Sequence, residues 1–127
     1  MNELLIEKTY STPLVHFNAQ NGVMKIEGRS IPENPSLFYD PIVSWLSDYF
    51  QNSKSKIKID IKLDYINSGS TKAILSLLKV IKQHYDKGIE CQLNWHYEED
   101  DESIRDLGKH YKSVIKLPIN LIEIFSE

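Results

Sequence analysis

A single cysteine, Cys91, is all the thiol chemistry the 127-residue chain carries. No internal disulfide can form, and a reducing compartment is the simpler expectation. The N-terminus lacks a basic stretch followed by a long apolar run, so no secretory signal is read there. No apolar stretch approaches the roughly 18 residues that a membrane span needs. These absences together predict a cytoplasmic protein. A basic excess is missing too. Fifteen Lys and Arg stand against eighteen Asp and Glu, a net charge of −3, which argues against a general nucleic-acid binder. The five glycines never assemble into G-x-x-x-x-G-K-[ST] or G-x-G-x-x-G, the loops that cradle phosphates and dinucleotides. The histidines His16, His84, His96 and His110 are scattered, with no pair four apart and no cysteine pair to join. Neither a zinc site nor any cofactor is expected. The acidic run Glu98 to Glu102 lacks the alternation and central glycine of a calcium loop. It reads as a solvated turn, with Asp100 or Asp101 capping the helix that follows.

What is present suits one folded domain over residues 1–127. Hydrophobic residues make up 41% and charged residues 26%, enough for a core that needs no disulfide or metal. Leu4 to Ile6 fit a short edge strand or simple packing. Pro13–Phe17 and Val23–Ile26 read as strands around an Asn21-Gly22 hairpin turn. Gly28 is expected to end the second strand, and Arg29 to Pro35 to form a loop. A helix follows from about Ser36 to Gln51, with Phe38, Ile42, Trp45, Leu46, Tyr49 and Phe50 at helical spacing. Pro41 suggests a true start near Asp40, with Asp40 as cap.

Residues 57–66 alternate: Ile57, Ile59, Ile61 and Leu63 on one face, Lys58, Asp60, Lys62 and Asp64 on the other. That pattern describes a sheet covered on one side. A helix from about Ser70 to Lys87 follows, with Ile74, Leu77, Leu78, Ile81 and Tyr85 inward. Then come an alternating strand over Ile89–Tyr97, a short helix over Asp101–Lys112, and a last strand over Ile119–Phe125. Cys91 falls mid-strand on an apolar face and reads as core. The order β-β-α-β-α-β-α-β predicts an α/β sandwich, a mixed sheet with its helices mainly on one face.

The change from period two to helical period falls at Asn67-Ser68-Gly69-Ser70-Thr71-Lys72. Free backbone N–H groups and the dipole favour a capping oxygen or a phosphate at such a helix start. An ordinary N-cap turn accounts for these residues; a regulatory phosphorylation site at Ser68 is the functional reading. An enzyme would use Ser68 as nucleophile beside Lys72 or Asp64. However, Ser68 and Lys72 have three residues between them where serine-lysine hydrolases have two, and no G-x-S-x-G elbow is present.

The segment Tyr65 to Leu75 resembles the phosphorylation turn of STAS domains, the fold of bacterial anti-sigma factor antagonists. Asn67-Ser68 lies where those proteins carry an Asp-Ser pair, and Asn is a departure from that pattern. The chain is more closely similar to the SiaC family of regulatory phosphoproteins. The matching stretches are Ser11-Thr12-Pro13, Gly28 to Asn34, the Trp45 helix, Tyr65 to Lys72, and Trp95-His96-Tyr97. That resemblance implies a STAS-like fold and a non-enzymatic partner switch. A kinase would phosphorylate the turn and a PP2C-type phosphatase would reverse it. The unphosphorylated form would bind and activate a diguanylate cyclase, raising cyclic di-GMP and favouring aggregation or biofilm. Ser68 falls on the acceptor position, with Ser70 and Thr71 as alternatives. The implied docking surface comprises Asn67, Ser68, Gly69, Ser70, Thr71 and Lys72, with Arg29, Glu33 and Asn34 from the preceding loop. An anti-sigma factor antagonist would share the fold and switch but bind an anti-sigma kinase.

Overall fold

A computed structural model describes residues 3–125. The order is β1 (Glu3–Ile6), β2 (Leu14–Asn18), β3 (Val23–Ser30), α1 (Pro35–Asn52), β4 (Ile57–Ile66), α2 (Ser68–Asp86), β5 (Cys91–Glu98), α3 (Glu102–Ile115) and β6 (Ile119–Ile124). The six strands form one sheet in sequence order. β1, β2 and β3 are antiparallel neighbours, and β3 to β6 are parallel. Parallel strands laid down in one direction by right-handed crossovers place their helices on the same face. Ile57, Ile59, Ile61 and Leu63 are buried on that face, in register with Met24 and Ile26 on β3 and with Leu93 and Trp95 on β5. Lys58 is exposed on the other face, with Asp60 and Lys62 half-buried there. The mixed sheet with one helical layer is thus as the alternation predicts.

Two local readings are corrected. β3 does not stop at Ile26 but runs through Gly28 to Ser30. Gly28 has φ +126°, and the register shifts between Gly28 and Arg29. The glycine is therefore an interior strand residue rather than the strand's end, in a region only glycine enters without strain, and the bulge beside it lies on β4, where Asp64 is left unpaired between Leu63 and Tyr65. Arg29 and Ser30 are consequently strand residues, not loop residues. α1 starts at Pro35, five residues before the expected Asp40 cap. Asn34 is the cap, its side-chain oxygen accepting from the Leu37 amide at 3.2 Å. Pro35 takes the first helical position, where a missing N–H costs nothing. Pro41 lies inside the helix. The carbonyl it leaves free belongs to Leu37, which is 75% exposed, so water can satisfy it.

The other ends shift by small steps. α2 begins two residues early, β5 begins two residues late, and α3 runs on to Ile115. Lys116 closes α3 in the left-handed conformation, φ 58°. Asp101 caps α3 by accepting from the Ile104 amide at 3.0 Å. Close packing of α3 on the sheet depends on Gly108, where a Cβ would overlap the buried Trp95 ring. The Trp95 indole donates to the Ile104 carbonyl at 2.8 Å.

Candidate functional site

Asn67 makes three of the hydrogen bonds that hold the turn between β4 and α2. Asn67 caps α2, its Oδ1 accepting from the Ser70 amide at 2.9 Å. Its Nδ2 donates to the Pro32 carbonyl at 2.9 Å, and its backbone N–H donates to the Ser30 carbonyl at 3.0 Å. The side-chain amide is oriented by its partners, because only the nitrogen can donate to a carbonyl and only the oxygen can accept from an N–H. Asn67 therefore ties three segments together: the end of β3, the loop before α1 and the start of α2.

Ser68 is the first residue of α2 and is exposed. Its hydroxyl makes no hydrogen bond among the described residues, and no side chain is placed as a base for it. The amides of Ser68 and Gly69 are likewise without partners among the described residues, as expected of a first helical turn. Lys72 is exposed one turn later on the same face.

The other two hydroxyls are engaged. Ser70 is fully buried and accepts from Ser30 Oγ at 2.8 Å. Since Ser30 donates its proton there, Tyr39 is the donor in the 2.6 Å contact between Tyr39 OH and Ser30 Oγ. This gives a buried chain Tyr39→Ser30→Ser70 joining α1, β3 and α2. Burial pushes the Tyr39 phenol up to about 12, with the Ser30 bond opposing in part, so it stays protonated as the donor. Thr71 donates from Oγ1 to the Asn67 carbonyl at 3.2 Å, and its own carbonyl accepts from Tyr111 OH at 2.7 Å. Burial and the nearby Tyr39 phenol raise Tyr111 well above the usual tyrosine range, against the Thr71 bond, so it too remains a donor.

Gly69 serves packing. A Cβ there would come within 2.7 Å of Pro35 Cγ, so the starts of α1 and α2 meet only because this residue has no side chain. Glu33 and Asn34 are exposed beside the turn, joined to it through the Pro32 carbonyl. Ser11, Thr12, Ile31, Pro32, Leu37 and Phe38 line most of an adjoining groove of about 680 Å³. Arg29 lies at the same end of the sheet, its guanidinium 4.7 Å from the Tyr10 ring centre and 5.2 Å from that of Tyr65. The structure thus brings every sequence-predicted site residue to one end of the sheet. Sequence reasoning missed Tyr39 and Ser30, which position the turn, and Tyr10 and Tyr65, which flank Arg29. Tyr39 was detectable, lying three residues before Ile42 on the inward stripe; Ser30 and Tyr10 carry no such signal.

Among the described residues no three His, Cys, Asp or Glu side chains cluster as metal ligands. No helix among them is long and apolar enough to cross a membrane.

A serine that is exposed and unpartnered among the described residues, opening a helix behind a central strand on a sheet with one helical layer, is the arrangement of a small STAS-like regulatory domain. A model of the SiaC family regulatory phosphoproteins matches residues 6–124, and the chain belongs to that family. The structure of apo-SiaC from Pseudomonas aeruginosa is similar at a TM-score of 0.88 and 25% identity, over 96% of this chain and 99% of that one. That of the P. aeruginosa diguanylate cyclase SiaD in complex with its activator SiaC is similar at 0.89 and 25% identity, over 95% of this chain and 99% of the matched one. A protein of P. aeruginosa strain UCBPP-PA14 is 26% identical over 118 residues, 93% of this chain and 94% of that protein.

Proposed function

We propose that this protein is a non-enzymatic, cytoplasmic partner switch. Its unphosphorylated form binds and activates a diguanylate cyclase, and phosphorylation of Ser68 releases the cyclase. A dedicated kinase writes the phosphate and a PP2C-type phosphatase removes it. The observation that carries this reading is the state of Ser68: exposed, first in α2 and free of hydrogen bonds among the described residues, in a chain whose family is one of regulatory phosphoproteins. The similarity to SiaC, the activator in the SiaD complex, supports a cyclase as the partner. Ser70 is disfavoured as the acceptor because its hydroxyl is buried and bonded. Thr71 is half-buried and bonded.

A phosphoserine brings roughly −1.5 to −2 charges. At a helix start that charge is neutral or stabilising by about 0.3–1 kcal/mol, so the fold survives modification. The consequence falls on the partner, where an unmatched charge inside an interface costs several kcal/mol. Docking is assigned to the turn itself, the exposed Lys72 side of α2, and the Arg29, Glu33 and Asn34 edge.

The test incubates the protein with its kinase and ATP, maps the phosphate, and measures cyclase binding and cyclic di-GMP output. Ser68→Ala should resist modification and activate constitutively. Full phosphorylation of Ser68→Ala would overturn the site. Equal activation by modified and unmodified protein would overturn the switch.

A further inference from the structure

The structure assigns a carboxylate-binding role to Arg29: it is the charged anchor of the docking surface, held ready by Tyr10 and Tyr65, and its ligand is an acidic side chain of the bound cyclase. This rests on the partner-switch reading above. Four observations carry it. Arg29 has no carboxylate or carbonyl partner among the described residues; its contacts are the two tyrosine rings. Those rings are themselves left open, Tyr10 at 79% and Tyr65 at 59% exposure, and exposed tyrosines around an arginine are the composition of binding hot spots. The bulge at Asp64 on β4 re-aims that strand so that Tyr65 falls in register with Arg29. Finally, the Lys8 side chain lies against Gly28, adding positive charge at the same edge.

The site is continuous with the switch. Ser30, next to Arg29, accepts from the Asn67 amide, and Tyr65 precedes Ser68 by three residues. A guanidinium fork matches a carboxylate through two parallel hydrogen bonds. Because the rings already restrain the side chain, less freedom is lost on binding. A nucleic-acid backbone is a poor fit for a chain of net charge −3. Release follows from the same charges. A phosphate on Ser68 adds a dianion to the same end of the sheet as the partner carboxylate that Arg29 holds, and like charges at an interface repel.

The experiment measures the Kd of the purified cyclase of the same organism for wild type, Arg29→Lys, Arg29→Ala, Tyr65→Leu and the Ser68-phosphorylated protein, at two salt concentrations. Arg29→Ala should weaken binding about tenfold or more and flatten the salt dependence. Arg29→Lys, which keeps the charge and loses the fork, should fall between. Tyr65→Leu should weaken binding less than Arg29→Ala. Melting temperatures should stay near wild type, which separates docking from a structural role. A charge reversal at one cyclase Asp or Glu should recover binding to Arg29→Glu. If Arg29→Ala binds within about twofold of wild type while phosphorylation of Ser68 still releases the cyclase, the Arg29 assignment is wrong and the switch stands. If phosphorylated and unmodified wild type bind alike, or wild type does not bind, the switch reading itself falls.

Discussion

Replacing Asn67 tests whether one side chain organises the site. Asn67→Ala removes the cap on the Ser70 amide, a loss of about 0.5–2 kcal/mol. It also removes the bond to the Pro32 carbonyl, about 0.5–1.5 kcal/mol more. The sum is near 2 kcal/mol. For a chain of this length that lowers Tm by about 8 °C, at about 4 °C per kcal/mol. Asn67→Asp is the sharper variant. It places an acidic residue at the helix start, keeps an oxygen for Ser70, and gains about 0.3–1 kcal/mol from the helix dipole. It also turns a carboxylate oxygen toward the Pro32 carbonyl, where Nδ2 now donates at 2.9 Å. The lost bond and the facing oxygens outweigh the dipole gain, so Asn67→Asp should melt below wild type and above Asn67→Ala. Thermal unfolding followed by circular dichroism gives the order, and amide exchange at Asn34 and Leu37 reports whether the loop before α1 has come loose. An Asp variant as stable as wild type, with that loop equally protected, would refute the tie between Asn67 and Pro32.

Further outcomes follow from particular contacts. Gly108→Ala should gain about 1 kcal/mol of helix propensity yet be destabilising by about 1–3 kcal/mol overall in urea titration, because the added methyl overlaps the buried Trp95 ring. His84 is buried and stacked on Phe50, ring centres 4.1 Å apart. Burial lowers its pKa against the Ser55 backbone bond, and Lys87 and Lys54 lower it further. The folded state thus favours neutral His84. Its contribution is full above the ordinary histidine value of about 6.5 and is lost as pH falls through the lower folded-state value. His84→Leu should flatten that part of a stability profile. Lys72→Glu, on an exposed helix face, should move stability by no more than about 0.5 kcal/mol while weakening cyclase binding; a large drop in Tm would make Lys72 structural.

The layers of this fold are legible because each strand and helix buries one face. Ile57 to Leu63 and Ile74 to Ile81 show their periods without help from neighbours. What was misread lies where one residue type serves two ends. Gly28 ahead of a proline-rich stretch looks like a terminator, and only the pairing of β3 with β4 shows it to lie inside the strand. Pro41 looks like a first-turn proline, but Pro35 already occupies that place. In the site, the position of the turn was legible from the change of period. The division of labour among its hydroxyls was not, because Ser70 is buried through Ser30 and Tyr39, and Ser30 is 40 residues away. The Tyr10, Arg29 and Tyr65 group is hidden for the same reason: it forms only when the bulge at Asp64 brings Tyr65 into register with Arg29.

That division of labour explains why one hydroxyl of three suits a switch. Ser70 donates its place to the buried chain, and Thr71 is bonded to the Asn67 carbonyl, so charge at either works against the fold. Among the described residues the Ser68 hydroxyl bonds to none, and Ser68 is exposed, so charge there falls on the surface. The contrast is measurable without any partner. Ser68→Asp places a carboxylate at the first turn of α2 and should leave Tm unchanged or raise it slightly, by the equivalent of a few tenths to about 1 kcal/mol. Ser70→Asp forces a carboxylate into a position with no solvent exposure, beside Ser30. The one hydroxyl donor there, Ser30, cannot offset that desolvation, so a loss of several kcal/mol is expected, or a protonated carboxyl with a strongly raised pKa. Ser70→Ala provides the control. It removes one buried bond without adding charge and should cost about 1–3 kcal/mol, well short of Ser70→Asp. If Ser70→Asp proved as stable as Ser68→Asp across neutral pH, the buried chain would not constrain the turn, and the physical ground for preferring Ser68 over Ser70 as acceptor would be gone.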